Sequence, residues 1–154
     1  MTGYDRFRRV AMGSDHAGFD LKEAIKAFLK EKGFEIADFE PQPKERINFH
    51  ESAIEVATAA KGSDDTLGIL VCGTGVGMCA LANRFRGVHA SILYDDLTAE
   101  YSRRHSNSNV LVFGGRTMKI EEALSRLQIF LSNEFEGGRY AERNSVLDRY
   151  GSSE

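Results

Sequence analysis

The sequence predicts an α/β fold built on a five-stranded parallel sheet in the order 2-1-3-4-5. Three observations carry that prediction. Short apolar runs alternate with helical periods from one end of the chain to the other. One run, Leu67 to Cys72, is almost continuously apolar, the mark of a strand buried on both faces. The length of 154 residues is near that of one ordinary domain, so one sheet has to serve the whole chain, residues 1–154.

The elements follow in order. Phe7 to Ser14 reads as a first strand ending in polar residues. Leu21, Ala24, Ile25, Phe28 and Leu29 recur at i, i+3, i+4, i+7 and i+8, one face of a helix. Gly33 sits where a left-handed cap is wanted, after Lys30 and Lys32, whose charges suit a helix C-terminus. Phe34 to Phe39 is a short second strand, and Pro41 and Pro43 break the chain into a loop. Ile54, Ala57 and Ala60 mark a second helix. After the buried third strand come a glycine loop, a short helix at about 76–85 and a fourth strand, Val88 to Tyr94. Asp96 to His105 reads as a helix with a weak apolar stripe, and Val110 to Phe113 as the fifth strand. Ile120, Ala123, Leu124, Leu127 and Leu131 give the last clear helix. Gly137-Gly138 closes the compact part, leaving residues 139–154 as a polar tail, mobile or docked on a partner.

Composition removes several function classes. No apolar run approaches the roughly 20 residues of a membrane span. The N-terminus lacks the apolar core of a secretory signal, and two cysteines make no disulfide framework, so a cytoplasmic protein with free thiols is expected. With 20 Lys and Arg against 23 Asp and Glu, the net charge of −3 gives no nucleic-acid footprint. An anionic ligand must therefore be held by a local cluster of donors.

In an open parallel sheet ligands bind beyond the carboxyl ends of the strands, where the strand order reverses. In the expected order that point lies between strand one, ending Gly13-Ser14-Asp15-His16, and strand three, ending Cys72-Gly73-Thr74-Gly75. Glycines in Gly73-Thr74-Gly75-Val76-Gly77 let successive amides point into the crevice, a nest for phosphate, carboxylate or an enediolate oxygen. A ligand-free strand-to-helix turn is the plain alternative. A dinucleotide fingerprint fits poorly, because Met78 stands at the third glycine and the loop follows the third strand.

Cys72 is the candidate for chemistry: a free thiol at a strand's end, directly before the nest. Cys79, inside the next helix, reads as packing. None of the four histidines has metal-ligand spacing, and no metal or cofactor is expected. His105, near the end of a helix, reads equally as a functional or a surface histidine. Arg139 and Arg143, four apart, and Arg116, after Gly114-Gly115, suit phosphate oxygens but are also ordinary solvated side chains.

The runs Gly13-Ser14-Asp15-His16-Ala17-Gly18, Gly68 through Met78, Asn109-Val110-Leu111 and Glu136-Gly137-Gly138-Arg139 occur in that order. Together they resemble the ribose-5-phosphate isomerase B family, which includes the galactose-6-phosphate isomerase subunits. The likeness covers roughly residues 9–143. It implies a Rossmann-like three-layer sandwich, in a homodimer or dimer of dimers with sites between subunits, and metal-free aldose–ketose isomerisation of a small phosphorylated sugar through an enediolate. By position, Cys72 matches the base that moves a proton between C1 and C2, and Thr74 with the backbone of Gly73, Gly75, Val76 and Gly77 matches the anion hole. His105 matches the ring-opening residue, with Ser106 beside it, and Asp15 its polar partner. His16, Arg116, Arg139 and Arg143 match phosphate-binding positions.

Two positions depart from the family. Asn48-Phe49-His50 stands where Asp-Tyr-Pro is usual, and Ser106 where Asn is usual. Both touch the sugar end, which leaves other four- to six-carbon sugar phosphates open. Two other classes stay open: a module that binds a phosphosugar without turnover, and a flavodoxin-like or nicotinamide-binding protein.

Overall fold

The computed structural model describes residues 1–42 and 49–150. Pro43, Asn48 and the side chain of Phe49 lie outside the described residues. The strands are β1 (Arg9–Ser14), β2 (Glu35–Asp38), β3 (Thr66–Cys72), β4 (Ala90–Ile92) and β5 (Val110–Gly114), and all pair in parallel. The helices are α1 (Gly3–Arg6), α2 (Phe19–Glu31), α3 (Phe49–Ala60), α4 (Val76–Ala82), α5 (Asp96–Arg104), α6 (Ile120–Ser132) and α7 (Arg139–Arg149), with a 3₁₀ turn at His16–Gly18.

The sheet order is β2-β1-β3-β5-β4. The expected α/β fold stands, but its last two strands exchange places. Burial explains why. All of Val110-Leu111-Val112-Phe113-Gly114 is buried, as a strand flanked on both sides must be, whereas the three residues of β4 are each partly exposed. The longer apolar strand therefore takes the inner position and the short one the edge.

This order assigns the helices to faces. The connections β1→β2 and β4→β5 step one way along the sheet, and β2→β3 and β3→β4 step the other way. Right-handed crossovers put helices of opposite steps on opposite faces. Accordingly Leu21, Ile25 and Leu29 of α2 and Ala99 of α5 share one apolar layer with Leu127 and Phe130 of α6, while Val56 and Ala57 of α3 and Met78 and Ala82 of α4 build the other. Because α2 and α4 leave β1 and β3 toward opposite faces, the topological switch point lies between the carboxyl ends of those two strands.

Other expectations meet corrections. Ile54, read as part of the buried stripe of the second helix, is 43% exposed; Ala53, Val56, Ala57 and Ala60 face the sheet instead. These small side chains let α3 approach closely, and a Cβ added to Gly68 would stand 2.9 Å from Val56. Residues 139–149, read as tail, are α7, none of whose side chains is buried. The first residues form α1, started by a capping box in which Asp5 N–H donates to Thr2 Oγ1 and Thr2 N–H to Asp5 Oδ2. Gly33 caps α2 as expected, at φ +90°.

Candidate active site

The site begins where β3 stops. Cys72 is its last residue, buried, with Sγ accepting the amide N–H of Gly75 at 3.0 Å. Gly75 stands at φ +87° as the N-cap of α4, a left-handed conformation that suits glycine and turns its amide back toward the sulfur. Burial pushes the Cys72 thiol up; the amides of Gly75, Met78 and Thr74 oppose this, while the Asp15 carboxylate adds to it. The net effect places the thiol above its ordinary value. The thiol is thus enclosed, yet it faces the amides of the loop.

Neighbouring loops close around it by backbone contact. Gly115 N–H donates to the Cys72 carbonyl at 2.7 Å, and Arg116 N–H to the Gly73 carbonyl at 2.9 Å. The Arg116 side chain lies over Gly73, whose added Cβ would meet its Cδ, Nη1 and Nε at 3.5–3.7 Å. Gly18 lies directly against the Val71 carbonyl, so any side chain there would collide with β3. Asp15 caps the 3₁₀ turn by accepting the Gly18 N–H at 2.9 Å, and the exposed His16 follows it. The Thr74 hydroxyl accepts the Val76 N–H at 3.2 Å, which fixes the turn; Gly77 lies in the first turn of α4. Cys72, Asp15, His16, Thr74, the nest and Arg116 therefore share the carboxyl edge of the sheet.

His105, Ser106, Arg139 and Arg143 do not. A helix that returns from the carboxyl end of one parallel strand delivers its own C-terminus to the amino edge, and His105 is the C-cap of α5, ahead of β5. Neighbouring contacts agree: the Ser106 carbonyl faces His89, ahead of β4, and Asn107 Oδ1 accepts from Arg6, ahead of β1. The length of β5, roughly 16 Å at ~3.3 Å per residue, separates this group from Cys72.

At the amino edge, His105 is stacked between Tyr101 and Tyr140, with centroids at 4.3 and 3.8 Å, and its Nε2 lies 3.2 Å from Glu136 Oε2. The guanidinium carbons of Arg139 and Arg143 lie 5.0 and 5.4 Å from the Tyr140 ring centroid. One tyrosine thus gathers three of the candidates, His105, Arg139 and Arg143. Sequence reasoning missed Tyr101 and Tyr140; their only signal is spacing, four before His105 and one after Arg139. Cys79 is half-buried in α4, packed against that side of the core. Among the described residues no group of three or more His, Cys, Asp or Glu is placed to hold a metal ion, and no helix is long and apolar enough to cross a membrane.

Comparison with known proteins gives the family and the fold. The family model described as Ribose/Galactose Isomerase matches residues 10–147. Ribose-5-phosphate isomerase B of Escherichia coli is 40% identical over 140 residues, covering 91% of this chain and 94% of that protein. A D-erythrulose-4-phosphate isomerase of Pectobacterium atrosepticum is 34% identical over 142 residues, 92% of this chain and 93% of that protein. The crystal structure of ribose-5-phosphate isomerase B from Mycoplasma genitalium, with bound ribulose-5-phosphate, superposes with a TM-score of 0.87 at 38% identity, over 92% of this chain and 95% of that one.

Proposed function

The chain belongs to the ribose/galactose isomerase family and is an isomerase, and from that premise we propose that it interconverts ribose 5-phosphate and ribulose 5-phosphate with Cys72 as the base. The observation that carries this reading is the Cys72 sulfur facing the Gly75 amide at the carboxyl end of β3, beside that of β1.

The chemistry follows from the parts. With the sugar ring open, the Cys72 thiolate removes the proton at C2. The C–H electrons form the C1–C2 double bond, and the aldehyde oxygen becomes an enediolate oxygen beside the nest amides. Return of the proton to C1, with transfer of the O2 proton to O1, gives the ketose. No electrons leave the sugar, so the step needs no external oxidant or cofactor. Asp15 faces the ring hydroxyls. His105 assists ring opening with Ser106 beside it, and His16, Arg116, Arg139 and Arg143 bind the phosphate.

Because Cys72 and His105 lie at opposite edges of one sheet, we infer that two chains complete each site, one giving the thiol and the other α7 and His105. A homodimer, alone or paired into a tetramer, is the simplest arrangement. Two free thiols suit the cytoplasm. The primary test is Cys72→Ala with solvent deuterium followed into C1 and C2. Exchange should fall by about 10²–10⁴-fold, the usual worth of a positioned base; unchanged exchange would remove Cys72 from the role.

A second reading concerns the sugar alone. Ser106 replaces the usual Asn, and the Pectobacterium relative is named for a four-carbon substrate. Comparing kcat/KM across four-, five- and six-carbon sugar phosphates decides between them: a tetrose phosphate preferred over ribose 5-phosphate would replace the pentose assignment and leave the mechanism standing.

A further inference from the structure

His89 lies just ahead of β4 and joins two segments of the amino edge. Its Nδ1 is 3.3 Å from the Ser106 carbonyl, and its Nε2 is 2.9 Å from Asp148 Oδ1 on α7. Both partners are acceptors: a carbonyl has no proton to give, and a carboxylate has none once ionised. A neutral imidazole carries one N–H and satisfies one of them, setting a lone pair against the other. Both contacts are hydrogen bonds only when both ring nitrogens carry protons.

The latch matters because little else holds α7. None of its side chains is buried, and among the described residues its polar and ring contacts with earlier segments include the Tyr140 stack on His105, the Asn144 amide donating to the His105 carbonyl at 3.0 Å, and Asp148, with Leu147 lining the cavity beside His89. The other charged or titratable groups lining the cavity of about 540 Å³ beside His89 are Arg84 and Arg86, from the α4–β4 connection, and Tyr150, at the end of α7. Asp148 is the carboxylate that meets the ring from α7.

We propose that His89 is a positioning residue which, as the imidazolium, clamps α7 to the loop carrying His105 and Ser106 and so sets the placement of Arg139 and Arg143. This rests on the phosphate reading of those arginines. Loss of a ring proton removes one of the two N–H donors, so the clamp loosens as pH rises.

Two readouts test it on the full-length enzyme. The first is amide hydrogen exchange of α7, corrected for the intrinsic pH dependence of exchange. Protection should fall by about fivefold as His89 loses its proton, the size expected for one partly exposed charge-assisted hydrogen bond. The second is KM for ribose 5-phosphate, which should rise by a similar factor over the same range. Asp148→Asn supplies an amide that donates to neutral Nε2, so both pH dependences should flatten in that variant. The substrate phosphate titrates equally with either protein, and the difference between them isolates the clamp. The same pH dependence of α7 protection in D148N and parent would overturn the proposal, as would none in the parent. If Arg143→Gln leaves KM unchanged while α7 protection still follows pH, the phosphate reading fails and the clamp survives.

Discussion

At the carboxyl edge the loops after β1, β3 and β5 touch backbone to backbone, through Gly18 on Val71, Gly115 on Ala17 and Gly114 on Thr74, around a thiol that is 6% exposed. At the amino edge the groups assigned to the same reaction sit on an exposed helix, held by ring stacking and polar contacts to His89 and His105. The first edge holds the proposed base and the loop amides in place by close backbone packing, which is where preorganisation counts most. The second presents cations on a surface, the arrangement needed if they serve a crevice on another chain. On the proposed reading, the work is divided between a packed half-site and a displayed one.

The sharpest way to break this comparison is complementation. If two chains share each site as proposed, Cys72→Ala and Arg143→Gln each damage every site of a homodimer. In a mixed dimer one crevice receives both substitutions and the other receives neither. Mixing the two inactive proteins after reversible dissociation should restore roughly a quarter of parental activity, since half the random dimers carry one intact site of two. No recovery, with mixed dimers shown to form, would mean that both residues serve a single chain's site.

What was legible in the sequence follows the same division. Leu67 to Cys72 and the glycines after it announce a buried strand and a left-handed turn because burial and positive φ each demand particular residue types. Exchange of β4 and β5 escaped because alternation of elements fixes their sequence and not their neighbours; Ser91 within β4, against the unbroken apolar run Val110 to Phe113 of β5, was the available clue. Helix α7 escaped because it has no buried face, and without an apolar stripe periodicity has nothing to report. His105 looked ambiguous for a related reason: its partners Tyr101, Tyr140 and Glu136 come from three segments that only the fold assembles. Resemblance to a family supplied its role, where spacing alone left it open.

A smaller effect separates packing from turn geometry. In Gly18→Ala the new methyl meets the Val71 carbonyl, and the β1 loop must move off β3. The loss should be about 1–3 kcal/mol of unfolding free energy, the usual cost of overpacking, and kcat should fall with it because Asp15 is displaced. Gly33→Ala is the control. Its φ of +90° makes any side chain strained, but nothing lies within 4 Å, so about 1 kcal/mol should be lost with activity per folded molecule unchanged. Denaturant titration and kcat on both variants read the contrast. A stable, fully active G18A would show that close contact of the β1 and β3 loops is not what shapes the crevice.

The smallest predicted effect concerns the charge inside the packed half-site. Burial raises the Cys72 thiol, and the Asp15 carboxylate raises it further. A raised thiol is protonated over a wider range, so the active thiolate accumulates only as pH climbs through that raised value, and kcat/KM should show a rising limb there. In Asp15→Asn the repulsion is gone and the thiolate appears at lower pH. Ultraviolet thiolate absorbance, measured without substrate in a Cys79→Ser background, should titrate at lower pH in the variant than in its parent. A weaker base also takes a carbon-bound proton more slowly, so the plateau of kcat/KM at high pH should drop as its limb moves down. An unshifted thiol titration would mean that the Asp15 charge is screened from the sulfur, leaving burial alone to raise it.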